Sequence, residues 1–392
     1  MSSRVVTREL RRITSNPFRK KVISHSLIAQ IETLFSQNLF REIPPKHIAS
    51  ILTSCSILGN DCPEVFLRSI YTSIARNLSP ETIDNMSDLD FSRTVVSFGF
   101  LVKRRLANTD HTRVGSVLLR SAHTRFTSCA STSSIIRTIV KGISMMRLPL
   151  SAELISFYRD IPWQRLSSFD EKIFVCRSAI DYGLLNKSLL LALVNELPGA
   201  AVRPESAASL LYCLAMSGID SVDPSVAMHL LNRADRVKLT PFWACHILGI
   251  ELKDISHRKQ IEAGLNSPDS RDRAMAELIL QVGNQGAPPI RQSTKHANLM
   301  NDLERIFGPL SVEYPVTPAI VVDCASIRRK LAIELQGPSH YLVDIASGDR
   351  VLNGPTLWKN KTLRELDWEV INVDLSNPDI KNNVAVAKFV SR

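Results

Sequence analysis

Two carboxylates and one amide lie on or beside two short apolar runs near the C-terminus of this 392-residue chain. Asp323 belongs to the run at 320–324, and Glu334 and Gln336 lie in and just after the run at 331–335. Both runs are rich in β-branched or aliphatic residues and end at turn signals, which predicts two strands. Carboxylate and amide groups on neighbouring strands are candidates either for chemistry or for hydrogen bonds that fix the strands.

The alternation of side chains along a strand predicts which of these groups share a face. In the second run Glu334 and Gln336 point away from the aliphatic side chains. In the first run Asp323 is expected on the opposite face from Val322 and Cys324. The alternation therefore places the acidic and amide groups on the polar faces of both strands.

Further elements are predicted after these two strands. A Gly-Pro-Ser-His turn comes first, and it is followed by a third strand, a helix, a fourth strand and a closing helix at 341–345, 355–366, 368–375 and 380–389. Leu357, Leu363 and Leu366 recur at helical spacing, which predicts that they form the buried face of the helix. The basic residues of that helix are expected on its exposed side: Lys359, Lys361 and Arg364.

The spacing of several residues in this segment resembles the RAP domain. The resemblance rests on Asp323, Ala-Ile-Glu-Leu-Gln-Gly-Pro-Ser-His at 332–340, Asn353-Gly354, Leu357, Lys359, Leu363, Leu366 and Trp368-Glu369-Val370. It covers about the last fifth of the chain. It implies a small restriction-endonuclease-like α/β fold in an organellar RNA-binding protein. The same domain ends proteins of the FAST kinase family in animal mitochondria, and that name implies no kinase activity here.

Nucleases of the implied fold use one strand carboxylate and an acid-x-Lys pair on the next strand. The corresponding positions here would be Asp323, Glu334 and Gln336, so a neutral amide replaces the lysine. Some nucleases of that fold function with glutamine there, while RAP domains usually have an acid at position 336. The alternative is structural: Asp323 accepts a hydrogen bond at a strand end, and the other two satisfy nearby backbone or the His340 ring. We expect no catalysis, no metal and no cofactor, with a metal-dependent endoribonuclease as the alternative.

Basic and aromatic residues are the candidates for RNA contacts, because cations bind phosphates and aromatic rings stack on unpaired bases. The candidates are Arg328, Arg329, Lys330, His340, Tyr341, Trp358, Lys359, Lys361 and Arg364 in the RAP-like segment, Lys103, Arg104 and Arg105 at a helix end, and Arg11, Arg12, Arg19, Lys20 and Lys21 near the N-terminus. The alternatives are a solvated charged surface and, for His340, a role in fixing the turn. Three tryptophans are expected in the core instead: Trp163, Trp243 and Trp368.

The charge of the chain is concentrated near its N-terminus. The net charge is +10 with a pI near 9.4, which points to an acidic partner such as nucleic acid or a membrane surface. Residues 1–25 contain seven basic residues and one acid, Glu9, whereas the segment from Thr317 contains ten basic and nine acidic residues. Such an Arg-rich start is typical of a mitochondrial transit peptide. The alternative is a basic arm that is retained and contacts RNA.

Residues 26–282 repeat an apolar-periodic segment, a turn and a second such segment, which indicates stacked helical hairpins. Gly183 and Gly218 end equivalent helices 35 residues apart. Predicted helices include 46–58, 133–146 and 242–252. Hairpins of this kind bury their apolar faces against their neighbours and form a solenoid, which can bind RNA or protein. Loss of periodicity predicts a linker at 283–298, followed by a RAP-like domain at 299–392 with its core at 320–375.

Several classes of site have no sequence signal. The seven cysteines are odd in number and form no Cys-x-x-Cys pair, so we expect reduced, mostly buried thiols of an intracellular protein and no structural zinc. The chain contains no Gly-x-Gly, P-loop or Gly-x-Ser-x-Gly motif. No apolar run approaches the ~20 residues that a membrane helix needs. The sequence therefore predicts a mostly α, mitochondrial RNA-binding protein that acts on ribosomal RNA or in RNA processing, with a protein-binding scaffold as a further alternative.

Overall fold

The computed structural model describes residues 3–14, 25–36, 43–58, 64–104, 111–128, 132–219, 222–234, 238–252, 254–282 and 294–376. The chain is mostly helical, with a small mixed sheet region near its C-terminus. It divides into two compact units: Met1–Leu189 with Ile345–Ser347, and Leu190–Asp344 with Gly348–Arg392. The predicted closing helix at 380–389 and most of the predicted linker, 283–293, lie outside the described residues.

Helices of the first unit pack in two rows. One row contains α1, α3, α6, α8 and α10, and the other contains α2, α4, α7 and α9. Their bounds are α1 Ser3–Thr14, α2 His25–Ser36, α3 Pro45–Leu58, α4 Glu64–Asn77, α5 Pro80–Asp84, α6 Asp88–Lys103, α7 His111–Ser128, α8 Ser133–Met146, α9 Ala152–Arg159 and α10 Phe169–Asp181. Hydrogen bonds between helices join residues 37 to 39 positions apart, in the pairs Arg125–Asp88, Ser133–Glu171 and Tyr182–Ile143. This separation is close to the period that the sequence predicts.

Two glycines lie where α6 and α8 cross with their backbones close together. A Cβ atom built on Gly142 would lie 2.6 Å from the carbonyl carbon and oxygen of Val95, and one built on Gly99 would lie 2.3 Å from the oxygen of Gly142. Backbone atoms cannot move aside as a flexible side chain can. The sequence therefore needs glycine at both positions.

Replacement of Gly142 with alanine is expected to lower the free energy of unfolding by about 2 kcal/mol, because overpacking against backbone outweighs the ~1 kcal/mol gain in helix propensity. The measurement is the urea unfolding midpoint. Gly199→Ala is the control, since a Cβ atom there would meet nothing within 4 Å. Equal midpoints for the two variants would contradict the close crossing of α6 and α8.

Within the second unit α12, α14 and α16 also pack one after another. The bounds of the helices that follow α10 are α11 Lys187–Glu196, α12 Pro204–Ser217, α13 Pro224–Arg233, α14 Thr240–Ile247, α15 Ile255–Gly264, α16 Ser270–Leu280 and α17 Thr294–Phe307. The predicted helix at 133–146 is confirmed as α8. The predicted helix at 242–252 is shorter, because Gly249 adopts a φ of +71° after α14. Gly183 and Gly218 lie at helix ends, as predicted, and both have a positive φ.

The sheet lies after α17, which begins at Thr294, four residues before the predicted end of the linker at 298. Its strands run in the order β2-β3-β4-β7, with β2, β3 and β4 antiparallel and β7 parallel to β4. A hairpin of β5 and β6 and helix α18 connect β4 to β7. The remaining bounds are β1 Leu184–Leu185, β2 Ser311–Thr317, β3 Ile320–Ser326, β4 Leu331–Gln336, β5 Tyr341–Asp344, β6 Arg350–Leu352, α18 Gly354–Glu365 and β7 Glu369–Asp374. The four predicted strands are confirmed as β3, β4, β5 and β7, and β1, β2 and β6 are additional.

Each face of the sheet has its own apolar core. On one face α17 packs on a cluster that includes Cys324 and Ile333. On the other face Leu363 of α18 packs on a cluster that includes Val322 and Ala332. Two helices therefore sandwich the four strands, and α18 is the one that covers the polar residues of β4.

Helix α18 also packs against α12 and α14 within the second unit. A Cβ atom on Gly354 would lie 1.6 Å from the oxygen of Ala215, and one on Gly218 would lie 2.5 Å from Leu357. The sequence predicts a division at 283–298, yet these contacts place α12 to α16 in the same compact unit as the sheet. Such contacts between distant segments leave no signal in local composition.

Candidate functional site

Polar side chains from β3, β4, β7 and α18 meet on the face of the sheet that α18 covers. Lys359 Nζ lies 2.7 Å from Glu334 Oε2, and Gln336 Nε2 donates to Asn372 Oδ1 at 2.7 Å. The parallel register of β4 and β7 pairs Glu334 with Asn372. Asp323 lies at the same place, because its Oδ2 accepts a hydrogen bond from the backbone N–H of Leu335 at 2.7 Å. The structure thus brings together the three residues that the nuclease pattern singles out.

The alternation of β3 breaks at Asp323. Val322 packs in the cluster under α18, whereas Cys324 packs in the cluster under α17, so the two do not share a face. The prediction that Asp323 opposes both of them was therefore wrong. Beside this position on β2, Glu313 has a φ of +49°, a left-handed conformation that is uncommon outside glycine. This local distortion of β2 and β3 leaves Asp323 as a hydrogen-bond acceptor for β4.

Lys359 is part of the site, although the sequence predicted it on the exposed side of the helix. Its side chain is 26% exposed, and that of Glu334 is 5% exposed. The site therefore contains a lysine, contrary to the expectation that Gln336 replaces it. The lysine comes from α18 instead of β4, and a pattern limited to neighbouring strands does not reveal it.

The buried face of α18 differs from the predicted leucine face. Leu363 is buried as predicted, but Leu366 is 40% exposed. Thr356 and Asn360 are buried beside Leu363 at helical spacing. Since these polar residues face the sheet, α18 covers a polar site and an apolar cluster at once. The sequence did contain a signal for this face. Thr356 and Asn360 share the spacing i, i+4 and i+7 with Leu363, which places two polar residues on the same side of the helix as a buried leucine.

Three buried oxygens of the site have no hydrogen-bond donor among the described residues: Glu334 Oε1, Gln336 Oε1 and Asn360 Oδ1. Buried acceptors normally accept hydrogen bonds, so three acceptors without a described donor in one place are unusual and distinguish this site from the rest of the sheet. Burial raises the pKa of Glu334, and the nearby Lys359 ammonium opposes that shift. Within the described part of the chain, no group of three His, Cys, Asp or Glu residues could hold a metal ion.

His340 fixes the turn before β5. Its Nδ1 lies 3.2 Å from Thr356 Oγ1, and the side chain of Asn353 donates to the backbone oxygen of Ser339 at 2.8 Å. Burial lowers the pKa of His340, while the Asp323 carboxylate acts in the opposite direction. This geometry supports the turn-fixing alternative for His340. Asn353 also caps α18 by accepting a hydrogen bond from the backbone N–H of Thr356. The predicted site residues did not include it, although it holds this turn against the helix.

The exposed basic residues lie at the other end of β4. Arg328, Arg329 and Lys330 form the β3–β4 connection and are all exposed. The backbone N–H of Glu369 donates to the oxygen of Lys330, so the start of β7 and the end of α18 lie at this same end. Arg364 in the last turn of α18 is also exposed.

Ion pairs distinguish these cations from one another. Lys330 Nζ lies 3.6 Å from Asp367, and Lys361 Nζ lies 3.9 Å from Glu365. No acidic partner for the three arginines is found among the described residues. This set, Arg328, Arg329 and Arg364, is named the arginine edge below.

The two predicted stacking rings already have partners. The Arg350 guanidinium lies 4.1 Å from the centroid of Tyr341, and the His246 ring lies 4.9 Å from that of Trp358. The tryptophans predicted in the core are half-buried: Trp163, Trp243 and Trp368. Trp243 packs on Tyr212 and Trp368 on Tyr314.

Four of the remaining RNA-binding candidates lie within the described residues. Lys103 is exposed, and Arg104 lies over the Phe100 ring. Arg11 donates to Ser50 Oγ, and Arg12 pairs with Glu9. Four candidates lie outside the described residues: Arg105, Arg19, Lys20 and Lys21.

Comparison of the chain with protein-family models and with curated proteins gives no match. Within the described residues no helix is both long enough and apolar enough to cross a membrane. Five cysteines of the described part are buried thiols, which agrees with the predicted burial: Cys55, Cys176, Cys213, Cys245 and Cys324.

Proposed function

We propose that this chain is a mitochondrial RNA-binding protein without enzymatic activity, in which an α-helical repeat solenoid precedes a RAP-like domain of restriction-endonuclease-like fold. Its role would be to bind ribosomal RNA as a component or assembly factor of the mitochondrial ribosome, or to act in organellar RNA processing or stability. The residues that resemble the RAP domain support this proposal. The hydrogen bonds that join residues 37 to 39 positions apart also support it, because this separation is close to the predicted length of one helical-hairpin repeat.

The arginine edge is the observation that carries the RNA-binding proposal. Arginine donates to phosphate in a planar fork, and an arginine that is not neutralised by a carboxylate keeps its full attraction for RNA. The edge combines three such side chains at one end of the sheet. Binding there would be electrostatic and largely independent of base sequence, since phosphates carry no sequence information.

Neutralisation of the arginine edge is expected to weaken the salt dependence of RNA binding. Each lost phosphate contact on single-stranded RNA lowers the slope of log K against log salt by ~0.7, so a triple Arg328→Gln/Arg329→Gln/Arg364→Gln variant should lose ~2. The control has the same charge change on α15 and α16: Arg258→Gln/Lys259→Gln/Arg273→Gln. A triple variant whose slope equals that of the wild type would exclude the arginine edge as the RNA contact.

Crosslinking identifies the ligand. RNA crosslinked to the full chain in mitochondria is purified and sequenced, and co-sedimentation with ribosomal particles is followed in parallel. Ribosomal RNA in the crosslinked fraction supports the proposal, and messenger RNA or precursors favour the processing role. Absence of any crosslinked RNA would favour the protein-binding scaffold.

A metal-dependent endoribonuclease is the second candidate, and the Glu334–Lys359 pair is the observation that favours it. An acid and a lysine beside Asp323 are the charges that such a nuclease needs. Against it, Glu334 is buried and already neutralised by Lys359. We expect no cleavage of RNA in Mg²⁺ or Mn²⁺. Cleavage that disappears in both Asp323→Ala and Glu334→Ala proteins would establish the nuclease instead.

A further inference from the structure

The basic N-terminal segment begins with a packed helix. Val6 and Leu10 of α1 are fully buried, and α1 packs on α3. Ser3 Oγ lies 2.9 Å from His47 Nδ1, and Arg11 donates to Ser50 Oγ at 2.6 Å. Residues 3–14 are thus held to α3, the next helix of the same row, by both apolar and polar contacts.

A second side of α1, next to its contact with α3, presents cations at regular spacing. Arg4, Arg8 and Arg11 recur at i, i+4 and i+7, which places them on one face of the helix. They are exposed, as is Lys46 in the first turn of α3. The spacing of the arginines corresponds to ~6 and ~10 Å along the helix axis.

Three of these cations lie near the contact of α1 with α3. Arg11 donates to Ser50 of α3, and Lys46 is the neighbour of His47, which contacts Ser3 of α1. Burial lowers the pKa of His47 first, and the charges of Lys46, Arg11 and Arg4 lower it further. No acidic partner for Arg4, Arg8 or Lys46 is found in the described part of the chain, whereas Arg12 is paired with Glu9 at 3.1 Å.

We propose that Arg4, Arg8, Arg11 and Lys46 form a pre-organised binding surface for the phosphate backbone of single-stranded RNA. This inference rests on the proposed function and names a second RNA contact, made by the first unit. Packing of α1 on α3 fixes the backbone that carries these cations, so the helix does not have to become ordered when RNA binds. The arginines can hold phosphate through paired N–H groups, and Lys46 adds a point charge.

An anionic membrane is the other partner that a basic amphipathic helix could bind. Membrane binding requires insertion of the apolar face of the helix. In α1 that face carries Val6 and Leu10, which are already covered within the first unit. The exposed face offers charge alone, and this favours a polyanion in solution.

The test is a triple Arg4→Gln/Arg8→Gln/Lys46→Gln variant of the full chain, compared with the triple Arg258→Gln/Lys259→Gln/Arg273→Gln control. Binding of a labelled single-stranded RNA is measured over a range of salt. Loss of three phosphate contacts should lower the slope of log K against log salt by ~2 and weaken binding at low salt at least tenfold, while the control matches the wild type. All substituted residues are exposed, and an unchanged unfolding midpoint shows that the fold is retained.

A wild-type protein that binds RNA together with a variant of unchanged slope would overturn this inference and leave the proposed function intact. Failure of the wild type to bind RNA would overturn the proposed function itself. Vesicles of phosphatidylcholine and cardiolipin give the third comparison. Vesicle binding that is lost in the variant, with RNA binding unchanged, would assign the surface to membranes and overturn the RNA proposal.

Discussion

Gly354→Ala is expected to lower the free energy of unfolding of the second unit by about 3 kcal/mol, at the upper end of the range for overpacking. A Cβ atom at this position would lie 1.6 Å from the oxygen of Ala215 and 2.8 Å from its carbonyl carbon. The clash is with backbone atoms, and rotation of a side chain cannot relieve it. Helix α18 must therefore move away from α12. The measurement is urea unfolding, followed by circular dichroism.

The displacement should also disturb contacts further along α18. Trp358 packs on His246, and Leu357 fills the space beside Gly218. Tryptophan fluorescence of the folded variant is therefore expected to differ from that of the wild type.

Gly337→Ala is the matched control for Gly354. Gly337 has φ −77° and ψ 175°, which alanine adopts freely, and a Cβ atom there would meet nothing within 4 Å. Its free energy of unfolding should change by less than ~1 kcal/mol, in the stabilising direction. If Gly354→Ala were as mild as Gly337→Ala, the close contact of α18 with α12 would be wrong.

Lys359→Met is expected to lower the free energy of unfolding by about 3 kcal/mol, since removal of one partner leaves a buried carboxylate without its counter-charge. Glu334 has little access to water, and its Oε1 already lacks a donor among the described residues. Methionine retains most of the aliphatic packing of the lysine. The decrease in the free energy of unfolding is therefore caused mainly by removal of the positive charge.

The pH dependence of this variant gives a second readout. Burial already raises the pKa of Glu334, and removal of the ammonium should raise it further. A carboxyl group whose pKa is higher in the folded state favours folding when it is protonated, so its contribution is lost as pH rises through the folded pKa. The deficit of Lys359→Met relative to the wild type should therefore shrink as pH falls below neutrality.

Two comparisons make the Lys359 result specific. Lys361→Met removes a lysine from the same helix, where the side chain is 76% exposed, and should change stability by less than ~0.5 kcal/mol. A Glu334→Gln/Lys359→Met double variant should recover part of the loss, because no buried charge remains. Equal effects of Lys359→Met and Lys361→Met would show that the Glu334–Lys359 pair has no role in stability.

Many helices and strands of this chain were predictable because the spacing of their apolar residues matches the period of a helix or of a strand. The helix at 133–146 and the strand at 331–335 carry their apolar residues at the spacing that their secondary structure requires. Strand β2 was missed because Pro315 interrupts it and none of its residues is fully buried. Strand β6 has only three residues, too few for alternation to be visible.

The site was predictable only in part. Asp323, Glu334 and Gln336 were found because they lie on adjacent strands at a spacing that resembles a known pattern. Lys359 was misplaced because the leucines of α18 suggested a different buried face, and only the packing of the helix on the sheet decides which residues turn inward. The arginine edge required knowledge of Asp367 and Glu365, which neutralise neighbouring lysines.

Equilibrium binding of single-stranded RNA by the full chain, measured from about 50 to about 200 mM salt, tests the central proposal most directly. Seven cations, those of the arginine edge and of the α1–α3 surface, are assigned to phosphates. The account predicts measurable binding in Mg²⁺ with the RNA recovered at full length, and a linear log–log plot with a slope of about −5. Absence of binding, or an affinity that does not change with salt, would contradict it.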